Sequence, residues 1–260
     1  MIIDHDIHVH TLLSDCCKDK KMTMENICKR EQQLGIKTIC FTDHVWDSDV
    51  EGTSEWYKPQ DIAHSKLNLP LPKVSGMRIL LGCETEFTGG TKVGLSKAHF
   101  DEYAFVLIPV NHFHKVPFVR PASVQTPGQA AQLLMERLGE LIKMDLPFHK
   151  IGIPHLNTTL GFIDKQDEIV AALSEKRMRK IFKFFAEKGS GIELNAFGFL
   201  PGWQEKEYAQ LWMFKIAKEE GCKFYFCSDG HDLSHLDYLP NLSEPADLLG
   251  LTHEDIYTIE

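Results

Sequence analysis

Short apolar runs alternate with longer amphipathic stretches along the whole 260-residue chain. The runs have the length of strands, and the stretches between them have the apolar spacing of helices. Strands that alternate with helices are typical of a parallel sheet covered by helices. We therefore predict an α/β fold with seven strands. The predicted strands cover residues 2–8, 37–42, 78–84, 103–110, 151–153, 192–195 and 223–228.

Capping residues frame several of the predicted helices. Thr23 is a candidate N-cap for a helix that stops at Gly35, and Thr126 precedes a helix with Pro127 at its first position. Residues 46–76 contain several prolines and little periodicity, so we predict a long loop with some helix there. No linker or repeat divides the chain, and we predict one domain over residues 1–260. The predicted helices cover residues 23–34, 126–144, 174–188 and 205–220.

Composition and charge exclude several classes of protein. With 43% hydrophobic and 25% charged residues, the chain has the make-up of a globular protein. The 37 acidic residues outnumber the 28 basic ones, so we expect no long duplex nucleic acid as a partner. No apolar run reaches the roughly 18 residues of a membrane span. Seven scattered cysteines and a start unlike a signal peptide indicate reduced thiols and a cytoplasmic location.

Each predicted strand is followed at its carboxyl end by a histidine, a carboxylate or both. The chain has 13 histidines, and the catalytic groups of parallel α/β proteins collect at the carboxyl ends of the strands. We therefore expect these side chains to meet at one edge of the sheet. They are His8 and His10, Asp43 and His44, Glu84, Asn111 and His112, His155, Glu193 and Asn195, and Asp229 and His231.

The spacing of these residues points to metal binding. Residues two apart on a strand face the same side, so His8 and His10 can converge on one ion, as can Asp229 and His231. Imidazole nitrogen and carboxylate oxygen together suit Zn, Mn or Fe, and the number of candidates implies two or three divalent ions. Asp6 and Asp43 stand near ligand histidines, and we expect them to fix the imidazole tautomers.

Taken together, the motifs resemble those of the PHP (polymerase and histidinol phosphatase) family of metal-dependent phosphoesterases. The resemblance implies a distorted TIM-like barrel of seven β/α units with a trinuclear metal cluster at its mouth. It is carried by Asp6-Ile7-His8-Val9-His10, Ser14-Asp15, Thr42-Asp43-His44, Gly82-Cys83-Glu84, His112, Pro154-His155, Glu193-Leu194-Asn195 and Ser228-Asp229-Gly230-His231. The ligands it implies are His8, His10, Asp15, His44, Glu84, His112, His155, Asp229 and His231.

Two of the implied ligands have a competing neighbour. His114 competes with His112, which we favour because it directly follows the apolar strand. Glu86 likewise competes with Glu84, which we favour for its place after Gly82.

The resemblance implies hydrolysis of a phosphate ester by a metal-activated hydroxide. We assign His10, His231 and Asp229 to catalysis as well as to metal binding, and His10 or His231 could shuttle a proton. Arg120 and Asn195 are the candidates for substrate binding. Arg120 follows the fourth strand on the mouth side of the fold, and Lys115 and Lys92 are weaker candidates for holding a phosphate.

The expected substrate is a small phosphorylated molecule. Chain length and layout resemble the histidinol-phosphatase branch of the family, which implies histidinol phosphate and a place in histidine biosynthesis. The stretch after His155 offers no basic residue for a phosphomonoester, so nucleotides or short oligonucleotides are the alternative substrates. A non-catalytic metal-binding PHP module is the other alternative, although a nearly complete ligand set disfavours it.

Overall fold

The computed structural model describes residues 1–259 and has an α/β fold with parallel sheets, as the alternating pattern predicts. The strands are β1 (His5–Val9), β2 (Thr38–Phe41), β3 (Arg78–Leu81), β4 (Cys83–Glu84), β5 (Phe87–Gly89), β6 (Lys92–Val93), β7 (Val106–Leu107), β8 (Ile151–Ile153), β9 (Gly191–Asn195) and β10 (Lys223–Cys227). One parallel sheet has the order β1-β2-β3, and a second has the order β10-β9-β8-β7-β4. The antiparallel hairpin β5-β6 is an addition that the sequence pattern did not predict.

The predicted strand over residues 78–84 is divided at Gly82 between the two sheets. β3 pairs with β2, whereas β4 pairs with β7. A Cβ atom at Gly82 would lie 2.7 Å from both the Phe105 carbonyl oxygen and Cys40 Sγ. Only glycine allows the backbone to pass this close, and the strand changes sheet at that point.

The two sheets also approach each other beyond β1 and β10. Val9, at the end of β1, forms an isolated parallel bridge with Gly230. The Asp229 N–H donates to the His8 carbonyl at 2.8 Å, and the His10 N–H donates to the Gly230 carbonyl at 3.1 Å. These bonds place the chain after β1 beside the chain after β10.

Helices cover the sheets, and the caps identified in the sequence define their ends. Thr23 accepts a hydrogen bond from the Asn26 N–H at the start of α1, and Gly35 ends α1 with a left-handed backbone. Thr126 and Gln129 form a capping box at the start of α3. The helices are α1 (Met24–Leu34), α2 (Ile62–Ser65), α3 (Pro127–Leu141), α4 (Gln166–Ala172), α5 (Glu175–Lys188), α6 (Glu207–Glu219) and α7 (Ser243–Leu248).

The differences from the predicted elements lie in short or irregular segments. α3 ends three residues earlier than predicted, and α6 begins two later because a 3₁₀ helix precedes it. The strand predicted over residues 103–110 is reduced to the two residues of β7. α4 and α7 were not predicted, since helices of seven and six residues carry little periodicity. Within residues 1–259, no helix has both the length and the apolar character needed to cross a membrane.

The loop predicted over residues 46–76 contains α2, and short 3₁₀ helices occur there and elsewhere. They are Lys66–Asn68, Lys97–Glu102, Phe148–Lys150, Ile163–Lys165, Ala196–Phe199, Trp203–Lys206, Leu233–Leu242 and His253–Asp255.

Both faces of most parallel strands are buried, as expected for parallel sheets, whereas β3 is partly exposed. Cys40 of β2 and Tyr225 of β10 belong to a small apolar cluster that also contains Phe105 and Leu107. Their chain neighbours, such as Ile39, belong instead to the large core that the helices share. The histidine cluster described next stands at the carboxyl ends of these strands.

Candidate metal centre

Residues that follow six different parallel strands meet in one buried cluster. The cluster borders a pocket of about 530 Å³. His8 and His10 come from the end of β1, and Glu84 forms the end of β4. The other members lie just after strands: His44 after β2, His112 after β7, His155 after β8, and Asp229 and His231 after β10. The structure therefore brings together eight of the nine ligands that the resemblance implies.

Glu84 lies at the centre of this cluster and is almost completely buried. Its two carboxylate oxygens face five imidazoles at 3.0 to 3.6 Å, those of His155, His44, His10, His112 and His8. Oε1 faces two of these rings and Oε2 faces the other three. A carboxylate with ligand nitrogens beside both oxygens has the arrangement needed to bridge two ions.

His8, His10 and Asp229 form one candidate ligand group. The two Nε2 atoms lie 3.1 Å apart, and each lies 3.4 Å from Asp229 Oδ1. Two ligands that are each about 2.1 Å from a tetrahedral zinc ion lie about 3.4 Å from each other. The separations between these three atoms therefore match those of ligands to a shared ion.

Two further groups overlap with the first. His10, His44 and His231 can offer atoms within 4.8 Å of one another, and so can the group of Glu84, His8 and His155. The Nδ1 atom of His44 is buried without a hydrogen-bond partner, although it lies 3.1 Å from Glu84 Oε2. Burial without a hydrogen bond disfavours a polar atom unless it binds something else. This unpartnered nitrogen therefore fits a ligand to a cation.

The charges in the cluster also fit bound cations. Glu84 and Asp229 belong to the cluster and Glu193 lies behind the His8 ring, and all ion pairs of these three carboxylates within residues 1–259 are with histidines. Burial raises the pKa of Glu84 and Asp229, but the nearby histidines outweigh it and hold both pKa values below the usual range. Buried carboxylates without lysine or arginine partners are stable beside metal ions.

Five of the ring nitrogens that face away from the cluster are held by hydrogen bonds. His8 Nδ1 lies 2.7 Å from Glu193 Oε2 and His112 Nδ1 lies 2.8 Å from Glu86 Oε2. The remaining three pairs are His10 Nδ1 with Ser14 Oγ at 2.9 Å, His155 Nδ1 with Asn111 Oδ1 at 3.2 Å, and His231 Nδ1 with the Asp229 carbonyl at 2.8 Å. A partner at Nδ1 fixes the tautomer and leaves Nε2 free for a metal.

The carboxylates expected to fix these tautomers have other partners. Asp6 accepts hydrogen bonds from the backbone N–H and the hydroxyl of Ser228. Asp43 accepts from Thr11 and from the Ser14 hydroxyl, and it reaches the imidazole of His10 only through that serine. Within residues 1–259, neither carboxylate forms a hydrogen bond with an imidazole, so the expectation for Asp6 and Asp43 was wrong. Asp6 accepts from the backbone N–H of His8 at 3.3 Å, and the partner of the His8 ring is the distant Glu193.

Two cluster residues have an unusual backbone. His155 has φ of 39° and Asp229 has φ of 50°, and they are the non-glycine residues with positive φ among residues 1–259. Such a conformation costs free energy in most residues and persists where the surroundings hold it. The chain turns sharply at these two strand ends, which aims both side chains at Glu84 and His8.

The residues that competed for ligand positions have different surroundings. His112 is buried with Nε2 facing Glu84, whereas His114 is exposed at the wall of the pocket. Glu86 is buried behind the cluster, where it binds His112 and the Tyr57 hydroxyl. This arrangement favours His112 and Glu84 as ligands and gives Glu86 an orienting position.

Two other candidates do not face the pocket as expected. Asp15 is exposed and pairs with Lys18 at 3.1 Å, so the structure does not bring it into the cluster. Arg120 donates to the carbonyls of Phe113 and Val124 and borders a neighbouring groove. Because its N–H groups are used on loop carbonyls, Arg120 does not point at the cluster.

Asn195 lies beneath the cluster rather than in the pocket. Its Nδ2 donates to Glu193 Oε1 at 3.0 Å and to Asp229 Oδ2 at 3.2 Å. The side chain is fully buried, so this arrangement fits the positioning of the two carboxylates better than substrate contact.

The pocket also contains residues that the sequence reasoning did not single out. Trp56 comes from the long loop and stands edge-on to the His44 ring at 5.0 Å. Cys16, next to the expected ligand Asp15, has its Sγ 3.1 Å from His231 Nε2. No local pattern marks either residue, because each reaches the pocket from a segment without strand or helix periodicity.

An α/β fold with this cluster at its strand ends defines a metalloenzyme. The model of the PHP domain family matches residues 6–197, about three quarters of the sequence. The chain therefore belongs to the PHP domain family, and it is a metal-dependent hydrolase of the phosphatase type.

Solved structures with the same fold agree with this assignment. The histidinol phosphate phosphatase of Lactococcus lactis subsp. lactis Il1403, solved with zinc, L-histidinol and phosphate, has a TM-score of 0.60 at 14% identity, with 96% of this chain and 94% of that chain covered. A candidate histidinol phosphatase from Listeria monocytogenes has a TM-score of 0.57 at 14% identity, with coverage of 89% and 97%. At this level of identity, the likeness concerns the fold. No curated protein matches the sequence.

Proposed function

We propose that this protein hydrolyses a small phosphomonoester with the help of two or three divalent metal ions. The observation that carries the proposal is the central carboxylate of Glu84, which faces five imidazoles from four strand ends. So many nitrogen and oxygen ligands exceed the needs of one ion. Seven β/α units that close into a distorted barrel would give the cluster its place at the mouth.

The ligand atoms fall into three sets around Glu84. His8, His10 and Asp229 would hold one ion, and His112 and His155 would hold a second together with Glu84. His44 and His231 would hold a third. Bound zinc, manganese or iron would supply Lewis acidity toward a phosphoryl oxygen and toward water. Metal-dependent hydrolysis of a phosphate ester by water requires no serine or cysteine nucleophile from the chain.

When two ions are bound, His231 is the residue that we assign to proton transfer, and a third ion would take the same Nε2 atom as a ligand instead. Its side chain is 27% exposed, more than any other imidazole with an ion pair in the cluster. Burial and the nearby His10 lower its pKa to about 4, so the ring is neutral near pH 7 and can accept a proton. The Asp229 carbonyl orients the ring at Nδ1, which leaves Nε2 toward the pocket.

Lys115 takes the role for which Arg120 was expected, that of the cation that holds the phosphate. Among residues 1–259, it is the only lysine or arginine that lines the pocket beside the cluster. Its Nζ lies 3.5 Å from the centre of the Trp56 ring, a cation–π contact that fixes the ammonium at the pocket wall. A phosphate bound at the cluster would share the pocket with this ammonium.

The test is phosphate release by protein that has been stripped of metal and reloaded with Zn, Mn or Fe. The panel contains histidinol phosphate, other phosphomonoesters and nucleotides, with metal content measured on the same sample. We expect turnover of at least one phosphomonoester and its loss in His8→Ala and Asp229→Asn, with Glu187→Gln on the exposed face of α5 as a control. Loaded protein that releases no phosphate from any ester would instead support a non-catalytic metal-binding module. Turnover of nucleotides alone would favour the alternative substrate class.

A further inference from the structure

Part of the pocket lining is aromatic and apolar. We define the aromatic wall as Trp56, Val116, Phe118 and Leu160, which all line the pocket. Trp56 stands 5.0 Å from the His44 ring, so the wall begins directly at the cluster. A phosphate held at the cluster would therefore place its alcohol part against this wall.

Packing behind the wall holds it in place. Trp56 lies 4.6 Å from Tyr57, and Phe118 lies 5.3 Å from Trp46, measured between ring centres. The Tyr57 hydroxyl donates to Glu86 Oε2 at 3.2 Å, and the same oxygen binds His112. The wall is thus connected to the cluster by direct contacts and is preformed for a ligand.

The charged groups at the pocket disfavour a substrate whose alcohol part is positively charged. Within residues 1–259, the carboxylates that line the pocket are the buried Glu84 and the half-buried Asp229, and both pair with imidazoles of the cluster. No further carboxylate lines the pocket within that range to pair with a substrate ammonium. An aromatic face could also bind an ammonium, but Lys115 Nζ lies 3.5 Å from the centre of the Trp56 ring, and its positive charge would repel a second ammonium there.

We propose that the alcohol part of the substrate is uncharged and apolar or aromatic, and that the pocket discriminates against phosphate esters that carry an ammonium group. This inference rests on the proposed phosphomonoesterase function. It follows from the juxtaposition of an aromatic wall, the positive charge of Lys115 at that wall, and carboxylates that pair with imidazoles within the cluster. Histidinol phosphate, which bears an ammonium group, is accordingly a poor substrate.

A matched series of esters tests the proposal on metal-loaded protein. 2-Phenylethyl phosphate, n-propyl phosphate, phosphoethanolamine and histidinol phosphate differ in ring and charge but share the phosphomonoester group. We expect kcat/KM to be highest for 2-phenylethyl phosphate and at least about tenfold lower for the two ammonium esters. Substrates that differ by a small apolar group in a hydrophobic pocket typically differ in kcat/KM by about tenfold or more. Equal or higher kcat/KM for histidinol phosphate would overturn the inference and leave the phosphomonoesterase function intact. Failure of all four esters beside turnover of another phosphomonoester in the wider panel would overturn this inference alone, and failure of every ester in that panel would overturn the phosphomonoesterase function.

Two variants test separately the effect of the aromatic wall and the effect of an added carboxylate that could pair with a substrate ammonium. Trp56→Leu should reduce the ratio of kcat/KM for the phenylethyl ester to that for the propyl ester, while Tyr208→Ala on exposed α6 should leave it unchanged. Val116→Asp places a carboxylate at a 42% exposed position of the wall and should shift preference toward phosphoethanolamine. Because Val116 is exposed, this variant should fold even if Trp56→Leu does not. An unchanged preference in Val116→Asp would count against the charge reasoning.

Discussion

Replacing Glu193 with glutamine, a side chain of nearly the same size, should place a proton on the His8 nitrogen that we expect to bind metal. Glu193 Oε1 accepts hydrogen bonds from the His155 N–H at 2.9 Å and from Asn195 Nδ2 at 3.0 Å, while Oε2 lies 2.7 Å from His8 Nδ1. In Glu193→Gln the amide oxygen can keep the first two donors only if the amide NH₂ faces His8. The ring then has to accept at Nδ1, so its proton moves to Nε2. That nitrogen is the one that faces His10 and Asp229.

The expected size of the effect follows from this loss of the correct tautomer. Changes in the groups that orient metal-binding histidines typically lower metal affinity or activity by about 10- to 100-fold. This range corresponds to about 1.4 to 2.7 kcal/mol of binding free energy. We expect the metal dissociation constant, measured by competition with a chelator, to rise by this factor. Activity should recover substantially at high metal concentration.

The control is Glu187→Gln, which makes the same chemical change on the exposed surface of α5. Circular dichroism would show whether both variants are folded. Metal affinity in folded Glu193→Gln within twofold of that of the unaltered protein would refute the tautomer reasoning. A loss of kcat that saturating metal does not restore would indicate instead that Glu193 acts on the substrate.

Other parts of the molecule give three further predictions. Cys16 is the exposed thiol among the seven cysteines, although desolvation and the carboxylates of Glu84 and Asp229 raise its pKa. A thiol reagent at alkaline pH should therefore modify one site in native protein and remove most activity by obstructing His231, while Cys16→Ser should resist the reagent. The hydrogen bond to Asp47 raises the pKa of His99, so its contribution to the free energy of unfolding should be lost as pH rises through the raised pKa. The pKa of Asp47 is lowered first by the backbone N–H of Asp49 and then by His99, against the effect of burial. His99→Gln should therefore flatten the alkaline limb in denaturant titrations, and an unchanged alkaline limb would contradict this. Phe182 is fully buried in the large core, and Phe182→Ala should lower the unfolding free energy by about 3–5 kcal/mol in urea titrations, whereas less than about 1 kcal/mol would show that the site repacks.

The sequence predicted those parts of the fold that local patterns determine. α1 begins after Thr23 and ends at Gly35 because capping residues act within one turn. The division at Gly82 was not predictable, since it depends on the close approach of Phe105 from another strand. A continuous apolar run gives no sign that its two halves pair with different sheets.

The same distinction applies to the site. Strand-end positions indicated which histidines would meet, because parallel strands place their carboxyl ends together. The hydrogen-bond partners of these histidines come from distant segments, as with Glu193 and His8, and sequence proximity wrongly suggested Asp6. The position of Arg120 depended on loop carbonyls, and that of Trp56 on the path of a long loop.

The left-handed backbone at His155 and Asp229 should make the local conformation of the chain depend on bound metal ions. Both turns would relax toward ordinary conformations if the contacts that hold them were weakened. Removal of metal should therefore loosen the ends of β8 and β10 before it affects the rest of the sheet, and amide hydrogen exchange would register the change there first. On this view, the protein is organised so that its cations complete the local folding of the segments that bind them.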